Sequence, residues 1–303
     1  MSHQHYSRWV TFAGMAAVAT ATLLIIGKLI AWLMTDSSTL LASLTDSLMD
    51  VSASIINLLA IRYALAPADD EHRFGHGKAE SLAGLIQSAF ICGSAMLLVM
   101  HGISSLLNQA PIMRLEAGLW VSGGSIVLTL LLVSFQGFVI RKTNSVAIKA
   151  DMLHYRSDLL LNGGVLLALV LAGQGWYWAD GLFAILIGLL LLWGAGHIGY
   201  ESVQALLDRQ LPAEEQARII ALCCAVKGVH GVHDLRTRQS GPTRFVQLHL
   251  ELDDQIPLVK AHQIADEAEL AVRQAFEQID VIIHMDPVSV LTKEQPNSHP
   301  ESQ

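Results

Sequence analysis

Unbroken apolar runs fill the first two thirds of the chain, and short alternating segments fill most of the rest. The runs lie near residues 10–34, 38–64, 81–107, 117–140, 146–172 and 178–200. Each is long enough to cross a bilayer, which takes about 20 residues as a helix. The second and fifth are the least apolar. Thr45, Asn57 and two aspartates interrupt the former, and His154, Asp158 and Asn162 the latter, so these two should line an interior. The fourth, with "IVLTLLLV", and the sixth, with "LFAILIGLLLLW", should face lipid. From Asp208 onward, "PAEEQARIIALCCAV" opens with a proline and two acids and predicts a helix. "HDLRTRQS" and "TRFVQLHLELD" predict strands joined by a short Gly-Pro turn, and "VIIHMDPVSV" predicts a third. Between the last two strands "LVKAHQIADEAELAVRQAFEQ" carries apolar residues at helical spacing. The expected fold is an α-helical membrane protein: six transmembrane helices over 1–207, then an α+β domain in the order αββαβ over 208–292. A polar tail at 293–303 is expected to be disordered.

Composition agrees with that frame. Of 303 residues, 52% are hydrophobic and 15% charged, too apolar for a soluble two-domain protein. Arg8, Arg62, Arg73, Lys78, Arg141 and Lys142 flank one side of the runs, whereas the opposite loops offer Arg114. The positive-inside rule then puts the N-terminus in the cytoplasm, and six spans return the C-terminus there. The first run is long and lacks a small-residue cleavage site, so no cleavable signal is expected. The formal charge of -8 argues against nucleic acid as a partner. Cys92, Cys223 and Cys224 have neither a disulfide framework nor CxxC spacing and are expected as free thiols.

Three groups of polar residues need explaining. In "TDSLMD", Asp46 and Asp50 are four apart and share a helix face. A charge at bilayer depth costs about 2.5–3.5 kcal/mol on insertion scales. In "DMLHYRSD", His154 and Asp158 repeat the spacing. Two helices that each present two such side chains can close a tetrahedral four-coordinate site, the geometry zinc prefers; hydrogen bonding to neighbouring helices is the plainer alternative. In "ADDEHRFGHGKAE", Asp69, His72 and His76 offer three ligand types in a loop where Gly75 and Gly77 permit tight turns, and a solvated loop is the alternative. The last domain holds His230, His233, His249, His262, His284 and Asp286. Alternation turns His249 away from Leu248 and Leu250 and puts His284 and Asp286 on one strand face, so they can converge across a sheet; taken singly, each is as well read as a surface residue. His101 and His197 are expected to bond to neighbouring helices.

The segments "LLASLTDSLMD", "FGHGKAESLAGL", "ADMLHYRSD" and "IIHMDP" resemble the cation diffusion facilitator family, in particular its bacterial zinc and iron efflux transporters, over nearly the whole chain. The resemblance implies a transport site at Asp46, Asp50, His154 and Asp158 and a loop site at Asp69, His72 and His76. It also implies a binuclear site at His233, His249, His262, His284 and Asp286 in a metallochaperone-like cytoplasmic domain. Family members of this type are homodimers of the inner membrane that exchange a divalent cation for protons, with a salt bridge at the positions of Lys78 and Asp208. Zinc is the expected ion, with cadmium and iron(II) as further cargo. Met285, where some relatives carry Gln, departs from the pattern. A membrane metal sensor and an intramembrane metalloenzyme are the competing readings, the second weakened by the lack of an HExxH motif.

Overall fold

A computed structural model describes residues 3–35, 38–108, 119–172 and 178–289. The chain divides into two compact units, Gln4–Leu206 and a second from Leu207 onward. The tail from Lys293 lies outside the described residues.

The first unit is built from α1 (His3–Thr35), α2 (Ser38–Ala64), α3 (Lys78–Asn108), α4 (Leu119–Thr143), α5 (Val146–Ala172) and α6 (Ala179–Leu206). Among the described residues, four stretches are long and apolar enough to cross a membrane: His5–Ile30, Lys78–Leu107, Gly123–Thr143 and Gly181–Leu206. The two helices outside that set, α2 and α5, carry the ligand-type side chains, as their interrupted apolar pattern predicts. Helices α3 and α6 approach closely through glycine. A Cβ on Gly188 would sit 2.5 Å from Val99 Cγ2, and one on Gly102 would sit 2.8 Å from the Gly181 carbonyl. Small residues let helix backbones approach where lipid offers no hydrophobic drive. The fourth and sixth helices, expected to face lipid, are each exposed along one side. Leu131 and Leu190 are exposed, but Gln136 and Val139 on α4 and Ala195 on α6 are fully enclosed.

The second unit contains α7 (Ala213–Cys224), β1 (Gly231–Ser240), β2 (Thr243–Leu252), α8 (Leu258–Ala275) and β3 (Ile279–Pro287), in the order αββαβ. The sheet runs β1-β2-β3, the first pair antiparallel and the second parallel. Val246, Leu248, Leu250 and Val281 pack against Ile219 and Cys223 of α7 and against Ile264, Ala268 and Val272 of α8. Helices therefore cover one sheet face, and period-two alternation sends the intervening side chains of β2 to the other. A bulge interrupts β1 between His233 and Arg236, with Asp234 at a φ of 46°.

Candidate metal centres

On α2, Ser47, Asp50, Ser54 and Asn57 recur every three or four residues, so they form one stripe. Ser47, Ser54 and Asn57 are buried. On α5, Asp151, His154 and Asp158 do the same. Tyr155, 1% exposed, locks the two helices together: its hydroxyl donates to the Ala17 carbonyl at 3.2 Å and lies 2.8 Å from the Ser54 hydroxyl. The result brings Asp50, His154 and Asp158 together, each offering a ligand atom within 4.8 Å of the others. His154 Nε2 lies 3.1 Å from Asp50 Oδ1 and 4.0 Å from Asp158 Oδ2. Asp46 belongs to α2, one turn before Asp50, but its side chain lies outside the described residues.

The loop between α2 and α3 brings Asp69, His72 and His76 together. Asp69 Oδ1 accepts from the backbone N–H groups of Glu71 at 3.0 Å and His72 at 2.6 Å, an Asx turn. The carboxylate also lies 3.2 Å from His72 Nδ1 and 3.3 Å from His76 Nε2. The His72 backbone donor, aided by the His72 side chain and both imidazoles, holds Asp69 below the usual carboxylate range. Gly75 adopts a φ of 78°, conformational freedom that the loop needs. His76 is buried, and its Nδ1 has no partner among the described residues.

In the second unit, strand register builds the third cluster. His233 pairs with His249 and His249 with His284, so three imidazoles form a row across the sheet; Glu251 pairs with Asp286 in the next row on the same face. Adjacent ring centroids lie 5.1 and 4.7 Å apart. Asp286 is the hub: Oδ2 lies 2.6 Å from His249 Nδ1 and 3.3 Å from His233 Nε2, and Oδ1 lies 3.1 Å from His284 Nε2. Burial pushes the Asp286 carboxyl up, but the bond from His249 and the neighbouring imidazoles outweigh it and hold it below the usual range.

The first unit coincides with a known sequence family: residues 14–207 match the cation efflux transmembrane domain. Residues 211–288 match the cation efflux protein cytoplasmic domain. The chain belongs to the cation efflux family, the cation diffusion facilitators. It is 53% identical over 292 residues to the cation-efflux pump FieF of Escherichia fergusonii, covering 96% of this chain and 97% of that one. The same figures hold for FieF of Shigella boydii serotype 18. A solved chain of CzrB, 39% identical, covers 25% of this chain and 96% of its own length at a TM-score of 0.24. Membership makes this a membrane transporter with a helical transmembrane domain and a C-terminal cytoplasmic domain.

Within this efflux fold some expected residues stand elsewhere. His262 lies exposed on α8, 3.6 Å from Asp266 and outside the sheet cluster. Lys78, in the first unit, donates to the Leu206 carbonyl at 3.2 Å, and Asp208, in the second, accepts from Arg238 at 3.4 Å; neither contact bears on the bridge expected between them. Met285 pairs in register with Leu250 and packs on the core, which removes it from the histidine face. His101 and His197 are exposed, against the expectation that they bond to other helices, and His197 stacks on Trp193 of its own helix. Three residues beside these clusters escaped sequence reasoning. Glu251 lies 3.1 Å from His233, Asp234 lies 3.8 Å from His249, and Lys28 of α1 donates to Ser47 at 2.6 Å. Glu251 had a signal, two residues beyond His249 on one strand; Lys28 had one as a cation within an apolar run.

Proposed function

We propose that this chain exports a divalent cation, zinc foremost, from the cytoplasm in exchange for protons. It works as a homodimer in the bacterial inner membrane with both termini cytoplasmic. The observation that carries the reading is the convergence of Asp50, His154 and Asp158 from two helices inside a bundle of the efflux family. With Asp46 one turn away, the site offers three carboxylates and one imidazole, a donor set that suits zinc and tolerates cadmium and iron(II). A bound divalent ion nearly neutralises that set. Once it leaves, the anions repel one another and gather protons, so metal release and proton uptake become linked. The loop cluster at Asp69, His72 and His76 and the sheet cluster at His233, His249, His284 and Asp286 hold further metal ions. By family resemblance His262 belongs with the latter, and Lys78 and Asp208 brace the membrane edge.

Purified protein in sealed vesicles with a zinc-sensitive dye inside and an imposed pH difference tests this. Zinc should move against its own gradient when protons run the other way. Binding without flux would make the protein a sensor, and flux indifferent to the sign of the pH difference would make it a uniporter.

A further inference from the structure

One helical turn before His154, Asp151 of α5 has 0% of its surface exposed. Its hydrogen-bond partners are amides: Gln136 Nε2 of α4 donates to Oδ2 at 2.6 Å, and Gln87 Nε2 of α3 donates to Oδ1 at 3.5 Å. Asn57 of α2 faces the same carboxylate from beyond hydrogen-bonding distance. Asn57 and Gln136 are 3% and 0% exposed, yet both amide atoms of Asn57 and Oε1 of Gln136 have no protein partner among the described residues. Ion pairs on α5 use Lys149 and His154; among the described residues none uses Asp151. Four helices thus enclose a carboxylate that makes no ion pair among the described residues, its charged neighbour being the His154 imidazole one turn on, beside three amide atoms without protein partners. All four groups stand within about two and a half turns of the basic ends of their helices, near Arg62, Lys78, Arg141, Lys142 and Lys149. On α2 and α5 they lie nearer those ends than Asp50 and His154 do.

What belongs in such a chamber follows from the two unmet demands. A buried charge needs a counter-charge, and buried amides need hydrogen-bond partners. A neutral water pairs the amides and leaves the charge. A proton on Asp151 removes the charge and leaves the amides. A divalent cation that keeps part of its hydration shell meets both demands: it takes carboxylate and amide oxygens directly, and its waters bond to the remaining amide atoms. We propose that Asn57, Gln87, Gln136 and Asp151 form a second, oxygen-only station for the transported cation, on the basic, cytoplasmic side of the transport site. The inference rests on the transport reading above. An all-oxygen set holds zinc more weakly than one containing imidazole, so the ion passes from the station to the tighter site as it sheds water.

The test is zinc flux in proteoliposomes of the full chain, with thermal unfolding of each variant alongside. Asp151→Asn keeps the shape and removes the charge, and it should lower kcat/KM for zinc by at least about tenfold. Adding Gln136→Glu returns one carboxylate to the chamber at nearly constant shape and should restore most of the flux. Asn57→Leu removes two orphaned polar atoms at similar volume, so it should raise the unfolding temperature while lowering kcat/KM by about fivefold. Wild-type kinetics in Asp151→Asn, or an Asn57→Leu protein both more stable and fully active, would overturn the station. So would a folded swap variant as slow as Asp151→Asn. Should Asp151→Asn not fold, Asn57→Leu decides. Absence of flux in the wild type would instead remove the transport reading itself.

Discussion

The two units differ in how much polar side chain they bury. In the cytoplasmic unit the enclosed residues are apolar, with Leu248, Leu250, Ile219 and Val272 at the centre, while the histidine row lies on the uncovered sheet face. In the membrane unit the enclosed residues include Ser47, Ser54, Asn57, Gln87, Gln136, Asp151 and Ser202, and the outward ones include Phe90, Leu97, Leu107 and Trp193. Lipid tails are as apolar as leucine, so helix association there relies on close packing and polar contacts. Water drives leucine inward instead. The ligand-type residues of the membrane unit are therefore part of its interior, whereas those of the cytoplasmic unit lie on the sheet face opposite its apolar core.

The largest expected effect comes from Asp50→Ala. Loss of one donor from the membrane cluster should lower zinc flux by at least about a hundredfold in vesicles, with the protein still monodisperse in detergent. Flux near the wild-type level would remove the transport site from this cluster. The next effect separates the units by their leucines. Leu248→Ala opens a hole in a water-driven core and should cost the cytoplasmic unit about 2–5 kcal/mol in denaturant unfolding. Leu97→Ala trims an outward side chain that is 69% exposed and should cost under about 0.5 kcal/mol. Similar losses at both positions would break the comparison.

Much of this was legible in the sequence because it is local. Apolar runs mark α1 to α6, i,i+4 spacing marks the stripes on α2 and α5, and alternation around His249 marks the face it shares with His233, His284 and Asp286. The Asp151 chamber was not legible, because its four groups come from four helices and no spacing within one segment joins them. The close contact of α3 and α6 was hidden for the same reason: Gly102, Gly181 and Gly188 become informative once the helices are paired. His262 was grouped by proximity in sequence with histidines whose convergence depends on strand register, and a helix position has no place in that register.

A smaller effect tests whether the histidine row is separable from its core. His233→Ala with Asp286→Ala should lower the zinc bound per chain and leave metal-free unfolding of the cytoplasmic unit nearly unchanged. Adding a chelator to the zinc-loaded wild type should cost about 2.7 kcal/mol if zinc stood at a hundred times its Kd, and the double variant should barely respond. A double variant that unfolds early without metal would place these side chains in the core energetics, as in the membrane unit.

The smallest effect is read at the adjacent thiols. Cys223 is fully enclosed between α7 and the sheet, whereas Cys224, the next residue, points outward. Burial, helped by Cys224, pushes the Cys223 thiol up to about 11, against roughly 8.5 in an unfolded chain. At pH 8 a maleimide should therefore label Cys224 and spare Cys223, because the thiolate is the reacting species and the site admits neither charge nor reagent. The sign for stability follows. The group's folded value is raised, so its contribution is fully present below about 8.5 and declines toward 11, the unfolded chain losing its proton first. Cys223→Ala should flatten that decline while lowering stability at neutral pH through the cavity it leaves. Equal labelling of both thiols at pH 8 in the folded chain would show that α7 lifts readily from the sheet, and that the core beneath the histidine face is looser than its packing implies.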